Sequence, residues 1–167
     1  VSDVTYFSVF NRMYYICVII DLYARKVIAY KISKHNSTQL TKATVKSAYE
    51  TRMPIGELLF HSDQGCSYTS NQFRKYLKSI NIKQSFSNPG MPYDNSVMES
   101  FFGIFKREAL YRYHFKTEKD FFRGVDTYMA FYNERRPHSV LMNQTPSKFE
   151  ANYYNIYKRN PDFQTEQ

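Results

Sequence analysis

Tyr14-Tyr15-Ile16-Cys17-Val18-Ile19-Ile20 carries no charged side chain, and the fold turns on how this run is read. β-Branched and aromatic residues fill it, a composition that suits a pleated strand. No polar residue recurs at every second position, so the strand is covered on both faces. A sheet flanked by helices provides that cover.

Working outward, residues 4–10 read as a strand before it, joined by an Asn11-Arg12 turn, with the central strand itself spanning 14–21. Leu22-Tyr23-Ala24-Arg25 leads to a third strand at 26–33. Ser37 or Thr38 can cap a helix that runs to about Arg52, with Leu40, Thr44, Val45 and Ala48 on one side and Pro54-Ile55-Gly56 ending it. A fourth strand at 57–61 stops at Ser62-Asp63-Gln64-Gly65, followed by a helix at 70–79, a fifth strand at 83–86 and a turn-rich loop at 87–93. The remainder is helical, at 94–111, 118–133 and 146–154; Thr145 followed by Pro146 is a start signal for the last helix. The expected fold is α/β: a five-stranded mixed sheet, antiparallel in its first three strands and parallel thereafter, flanked by helices. Residues 1–160 read as one domain without an internal repeat, and 161–167 as a frayed tail.

Composition narrows the function. The chain has 167 residues, 43% hydrophobic, which excludes a disordered tail, and its formal net charge of +8 points to a polyanionic partner. Two cysteines make neither a disulfide framework nor a four-ligand zinc site. Cys17 reads as a small core residue and Cys66 as an exposed thiol. The longest apolar stretch, 13–20, is far shorter than the roughly 20 residues of a membrane helix, and no signal-peptide pattern opens the sequence. A reducing, cytoplasmic setting without a membrane partner is expected.

Three acids stand out by position: Asp3 on the first strand, Asp63 at the exit of the fourth, and Glu99 on the helix after the loop. The first and fourth strands can lie side by side, because a crossover helix leads into the fourth; Asp3 and Asp63 then meet at one end of the sheet. Oxygens from three different elements suit hard divalent cations, Mg²⁺ or Mn²⁺, and two such ions can serve phosphoryl displacement. Each acid taken singly reads more readily as a turn former or helix cap. Advancing 100° per residue along the third element sorts Val97, Met98, Phe101, Ile104, Phe105 and Ala109 to one side. Glu99, Ser100, Gly103, Lys106 and Arg107 fall opposite, a face that fits either a DNA backbone or solvent. Glu99 and Lys106 are two turns apart, roughly 10 Å along the axis.

The words around these acids are ordered. Asp3-Val4-Thr5-Tyr6 is followed by His61-Ser62-Asp63-Gln64-Gly65, Tyr93-Asp94-Asn95-Ser96, Glu99-Ser100-Phe101-Phe102-Gly103 and Tyr132-Asn133-Glu134-Arg135-Arg136-Pro137-His138-Ser139, with 35 residues between Asp63 and Glu99. From Asp3 to Phe149 the chain resembles the catalytic core of bacterial insertion-sequence transposases of the retroviral-integrase type. The resemblance implies an RNase H-like fold and a metal-binding triad of Asp3, Asp63 and Glu99, the DDE set, holding two Mg²⁺ or Mn²⁺ ions. It also implies cleavage at the ends of a mobile element and direct strand transfer to DNA by a homo-oligomer, without a nucleotide cofactor. No Gly-x-x-x-x-Gly-Lys phosphate loop occurs.

Lys106 matches a basic position that touches the DNA end in such enzymes. Residues 88–95 resemble the mobile loop beside their active site, which makes Asn88 and Tyr93 candidate DNA contacts along with Arg107, Arg135 and Arg136. Arg136 precedes a proline and must leave its helix, so the 132–138 run reads either as a fold-closing segment, with Leu141 and Phe149 as anchors, or as a phosphate contact. Asp94 reads as a cap, and His61 as a packing or hydrogen-bonding residue. Members usually carry a Trp before the first Asp and an N-terminal helix-turn-helix region; neither is seen, which suggests an excised catalytic domain. A plain RNase H-like nuclease and a decayed DNA-binding or dimerisation module are the competing readings.

Overall fold

The computed structural model describes residues 1–87 and 95–159, with side chains described through residue 155. Three strands open the chain: β1 (Ser2–Val9), β2 (Arg12–Ile20) and β3 (Val27–Ser33). Then follow α1 (Thr38–Arg52), β4 (Leu58–Ser62), α2 (Cys66–Thr69), α3 (Asn71–Ser79) and β5 (Ile82–Phe86). The last part is α4 (Ser96–Phe105), a π-helical turn at Lys106–Leu110, α5 (Glu118–Glu134), a 3₁₀ turn at Ser139–Leu141 and α6 (Pro146–Arg159). No helix among the described residues is long and apolar enough to cross a membrane. The expected frayed tail at 161–167 lies outside the described residues.

The strand order is β3-β2-β1-β4-β5. β1, β2 and β3 pair antiparallel, whereas β1–β4 and β4–β5 are parallel, as the sequence pattern leads one to expect. The first turn sits one residue earlier than the Asn11-Arg12 reading: Phe10 and Asn11 both have a φ of 54°, and Val9 faces Arg12. A two-residue hairpin needs positive φ at both central positions, and Asn supplies one of them at low cost.

β2 is covered on both faces. Tyr14, Ile16, Val18 and Ile20 join a core with Met98, Phe101, Phe105, Phe121 and Val125 of the α4–α5 layer. Ile19 faces the other way, into a second core with Val45, Phe60, Phe73, Leu77 and Ile82. The two-residue alternation of a strand thus feeds both layers at once.

Side-chain caps fix the helix starts. Ser37, Ser70, Thr117 and Thr145 each accept a backbone N–H from the residue three places on. Distant charges close the fold. Glu150 of α6 pairs with Lys26 at 2.7 Å and with Arg52 at the end of α1. Arg136, just beyond α5, donates from Nε and Nη2 to Glu108 at 3.0 to 3.2 Å. Leu141 is buried, and Phe149 packs its ring 5.4 Å from Tyr23.

Candidate active site

Parallel pairing of Ser2 with Ser62 sets Asp3 and Asp63, each the next residue along, side by side at one end of β1 and β4. Asp3 shares its face of β1 with Phe7 and Val9, which pack on the α4–α5 core. Its carboxylate therefore looks toward the start of α4. There Asn95 Nδ2 donates to Asp3 Oδ2 at 3.1 Å, while the Val4 amide donates to Oδ1 at 2.7 Å. Asp63 Oδ1 accepts the Gly65 amide at 3.0 Å. A Cβ on Gly65 would stand only 3.0 Å from that same oxygen, so glycine is what lets the carboxylate settle there.

Glu99 is exposed in the first turn of α4, where the helix dipole favours a negative charge. The helix sorts largely as the sequence projection expects. Met98, Phe101, Phe105 and Ala109 are buried, Val97 and Ile104 are half-buried, and Glu99, Ser100, Gly103 and Arg107 are exposed. A Cβ on Gly103 would meet nothing within 4 Å, so that face is open. Lys106 is half-buried and holds its Nζ 5.1 Å from the centre of the Tyr6 ring of β1, not free in solvent.

The electrostatics single out Asp3. Burial drives its pKa up to about 6, and the negative charges of Asp63 and Glu99 add to the rise, while the hydrogen bonds from Val4 and Asn95 oppose it. Asp63 and Glu99 thus act on Asp3 as charges. Among the described residues none of the three has a cationic partner within ion-pair distance, and no three acidic, His or Cys side chains meet closely enough to cage an ion. The acids are nonetheless carboxylate oxygens, the chemistry of a hard divalent cation, and a cation here would offset both the burial and the neighbouring negative charges that raise Asp3.

Arg135 is exposed at the end of α5 and lines a groove of about 1440 Å³ with Arg112, Lys116 and Arg123, away from all three acids. Arg136 is held by Glu108, so its guanidinium serves fold closure. Asn88, Tyr93 and Asp94 lie outside the described residues. His61 is engaged at both ring nitrogens by the hydroxyls of Ser85 and Ser87, at 3.0 and 3.1 Å, which is the hydrogen-bonding role expected of it. Sequence reasoning passed over Asn95 as the partner of Asp3; its place beside Asp94 in the run Tyr93-Asp94-Asn95-Ser96 was the available signal.

A mixed five-stranded sheet with one acid on β1, a second just past the end of the adjacent β4 and a third on the following helix defines an RNase H-like domain with an acidic centre. Two family models, both described as integrase core domain, match residues 1–92 and 80–146, and the chain belongs to that family. Its relatives include the transposase for insertion sequence element IS904 of Lactococcus lactis, 33% identical over 153 residues that make up 89% of this chain and 59% of that protein. The transposase InsF for insertion sequence IS3A of Escherichia coli is 32% identical over 150 residues, covering 89% of this chain and 52% of the relative. The chain thus spans little more than half the length of these relatives. Among solved structures, the HTLV-2 integrase catalytic core domain in complex with magnesium superposes with a TM-score of 0.72 over 89% of this chain and 92% of that one, at 18% identity. A simian T-cell lymphotropic virus intasome chain does so with a TM-score of 0.76 over 89% of this chain and 52% of that one, also at 18% identity. These likenesses fix the fold as that of integrase catalytic cores.

Proposed function

We propose that residues 1–160 form the catalytic core of a DDE-type transposase, a polynucleotidyl transferase that cuts DNA strands and joins the freed 3′ hydroxyl to target DNA. The observation that carries this reading is the acid centre at the end of β1 and β4: Asp3 and Asp63 stand side by side with no cationic partner among the described residues, and burial, with the charges of Asp63 and Glu99 added to it, pushes the half-buried Asp3 up to about 6. Family membership and the relatives named as insertion-sequence transposases support the choice of DNA as substrate.

Asp3, Asp63 and Glu99 would hold Mg²⁺ or Mn²⁺, two ions in the full site. Such ions activate the attacking oxygen and stabilise the leaving one. The chain's own residues do the rest. Asn95 and the Val4 amide orient the Asp3 carboxylate, and the Gly65 amide orients that of Asp63. The open face at Gly103 leaves room for a backbone phosphate, with Lys106 and Arg107 offering positive charge farther along the same segment. Direct transesterification exchanges one phosphodiester for another, so no nucleotide is consumed. Joining two element ends calls for more than one copy of the core, which places it in a homo-oligomer acting on DNA in the bacterial cytoplasm. Asn88 and Tyr93 remain DNA contacts of this proposal, and Arg135 a contact outside the acid centre.

The test is a branched DNA duplex that mimics the joined product, offered with millimolar Mn²⁺. The core should resolve it by reverse transesterification, and Asp63→Asn should not. Cleavage of an RNA–DNA hybrid without action on the branched duplex would instead assign a nuclease. Binding to DNA without either reaction would assign a decayed module.

A further inference from the structure

The pairing that sets Asp3 beside Asp63 is thin, because Ser2↔Ser62 is the one registered pair between β1 and β4. Strand alternation sends the Ser2 side chain to the face opposite Asp3. There it meets α2: Ser2 Oγ and Tyr68 Oη are 2.8 Å apart, and Cys17 Sγ lies 3.7 Å from the first and 3.6 Å from the second. The three residues are 0%, 1% and 0% exposed, so these contacts are shielded from bulk water. Tyr68 is tied in turn to the other acid. Its amide donates to the Gly65 carbonyl at 2.9 Å, and the Gly65 amide donates to Asp63 Oδ1. Gln84 Nε2 of β5 secures the Tyr68 carbonyl at 2.9 Å. A continuous path of short contacts therefore runs from Asp63 through Gly65, Tyr68 and Ser2 to Asp3.

We infer that Tyr68 and Ser2 are positioning residues whose buried hydrogen bond fixes the separation of Asp3 from Asp63, and through it the affinity of the acid centre for a divalent cation. This rests on the metal-binding reading above. Apolar packing holds a volume but no direction, whereas a hydrogen bond fixes distance and angle. Metal sites depend on outer groups that hold the ligands to within about half an ångström. β1 and β4 share only that one registered pair; the Tyr68 hydroxyl adds a second tie between β1 and the segment that follows β4, without touching a ligand.

The test measures Mn²⁺ binding, by the electron paramagnetic resonance signal of the free ion, beside thermal melting in chelator. Parent, Tyr68→Phe, Ser2→Ala, the double variant and Leu77→Val are compared. Each single variant leaves a buried hydroxyl without its main partner and melts lower, while the double variant removes both and recovers most of the loss. The double variant should still bind Mn²⁺ about tenfold more weakly than the parent, the low end of what lost outer groups cost. Leu77→Val softens the same core and should lower melting with Mn²⁺ affinity within twofold of the parent. Double-variant affinity within twofold of the parent overturns the lock. Equal weakening by Leu77→Val overturns it too, because general softening would then set the affinity. A parent that binds no Mn²⁺ overturns the metal reading itself and the lock with it.

Discussion

Glu99 and Glu108 lie nine residues apart on one helical segment, and the fold treats them in opposite ways. Glu108 accepts Arg136 through Nε and Nη2 and the Tyr128 hydroxyl, and these hydrogen bonds hold its carboxyl below the usual range, the Arg136 contact contributing most. Glu150 follows the same pattern: burial works to raise it, yet Arg52 and Lys26 outweigh burial and keep it low. At the other end of the segment Glu99, Asp63 and Asp3 have no cationic partner among the described residues, and Asp3 is forced up to about 6. Carboxylates that close this fold bring their cations with them. Those of the acid centre have no such cation among the described residues.

The largest expected effect breaks the acid side of the comparison. Asp63→Asn or Glu99→Gln should lower DNA cleavage and joining in Mg²⁺ by at least about a thousandfold, about 4 kcal/mol of barrier, while circular dichroism keeps its parental shape. Activity within tenfold of the parent for either variant would remove it from the centre.

Breaking the paired side should cost stability instead. Arg136→Ala strands Glu108 and should lower unfolding free energy by about 1 to 2 kcal/mol, a charge-assisted hydrogen-bond loss reduced by the partial exposure of the pair. Denaturant melts without magnesium or manganese measure it. A variant as stable as the parent would mean the pair closes nothing.

Titration sharpens the contrast, because the two regions respond to pH with opposite sign. Asp3 is an acid with a raised folded pKa, so between its ordinary 3.8 and about 6 the folded chain keeps a proton that the unfolded chain has released. In chelator its contribution to stability falls as pH rises through that window, by on the order of 3 kcal/mol, and is level above it. Glu108 and Glu150 have lowered pKa values. The stability they add is present above their ordinary 4.5 and fades as pH falls through their folded values. Melting curves of the parent and Asp3→Asn from pH 4 to 7 should differ in slope between pH 4 and 6, the variant losing the decline. Parallel curves would contradict the buried charge at Asp3.

The smallest effect concerns a cation that no carboxylate among the described residues claims. Lys106→Ala should reduce the slope of log DNA affinity against log salt by about one unit, the signature of one phosphate contact, with stability nearly unchanged. An unaltered slope would leave Lys106 as packing on Tyr6.

Much of this contrast is legible in the amino-acid sequence, and the reasons are local. The unbroken apolar run from Tyr14 to Ile20 announces a strand buried on both faces, and strand ends plus helix period place Asp3, Asp63 and Glu99. What the sequence conceals is non-local or too short to show a period. α2 spans four residues, less than two helical turns, so nothing in Cys66-Ser67-Tyr68-Thr69 marks it. The π turn at Lys106–Leu110 departs from the 100° projection, and the contact of Lys106 with the Tyr6 ring spans two distant elements. The Arg136–Glu108 and Glu150–Arg52 partners are 28 and 98 residues apart, and complementary charge at such distance has no pattern to follow. The same holds for Ser2 and Tyr68, whose hydroxyls meet only once β1 and α2 are in place.

Thermal melting of the parent and Asp63→Asn, each in chelator and in millimolar Mn²⁺, bears most directly on the claim that the three acids form one cation-demanding centre. In chelator the variant should be the more stable, by on the order of 1 kcal/mol, because an amide relieves the repulsion around Asp3. Manganese should invert the ranking, since it binds the folded parent and stabilises it by mass action, while the variant binds it poorly. A variant that melts below the parent in chelator, with a difference that Mn²⁺ leaves unchanged, would contradict the claim.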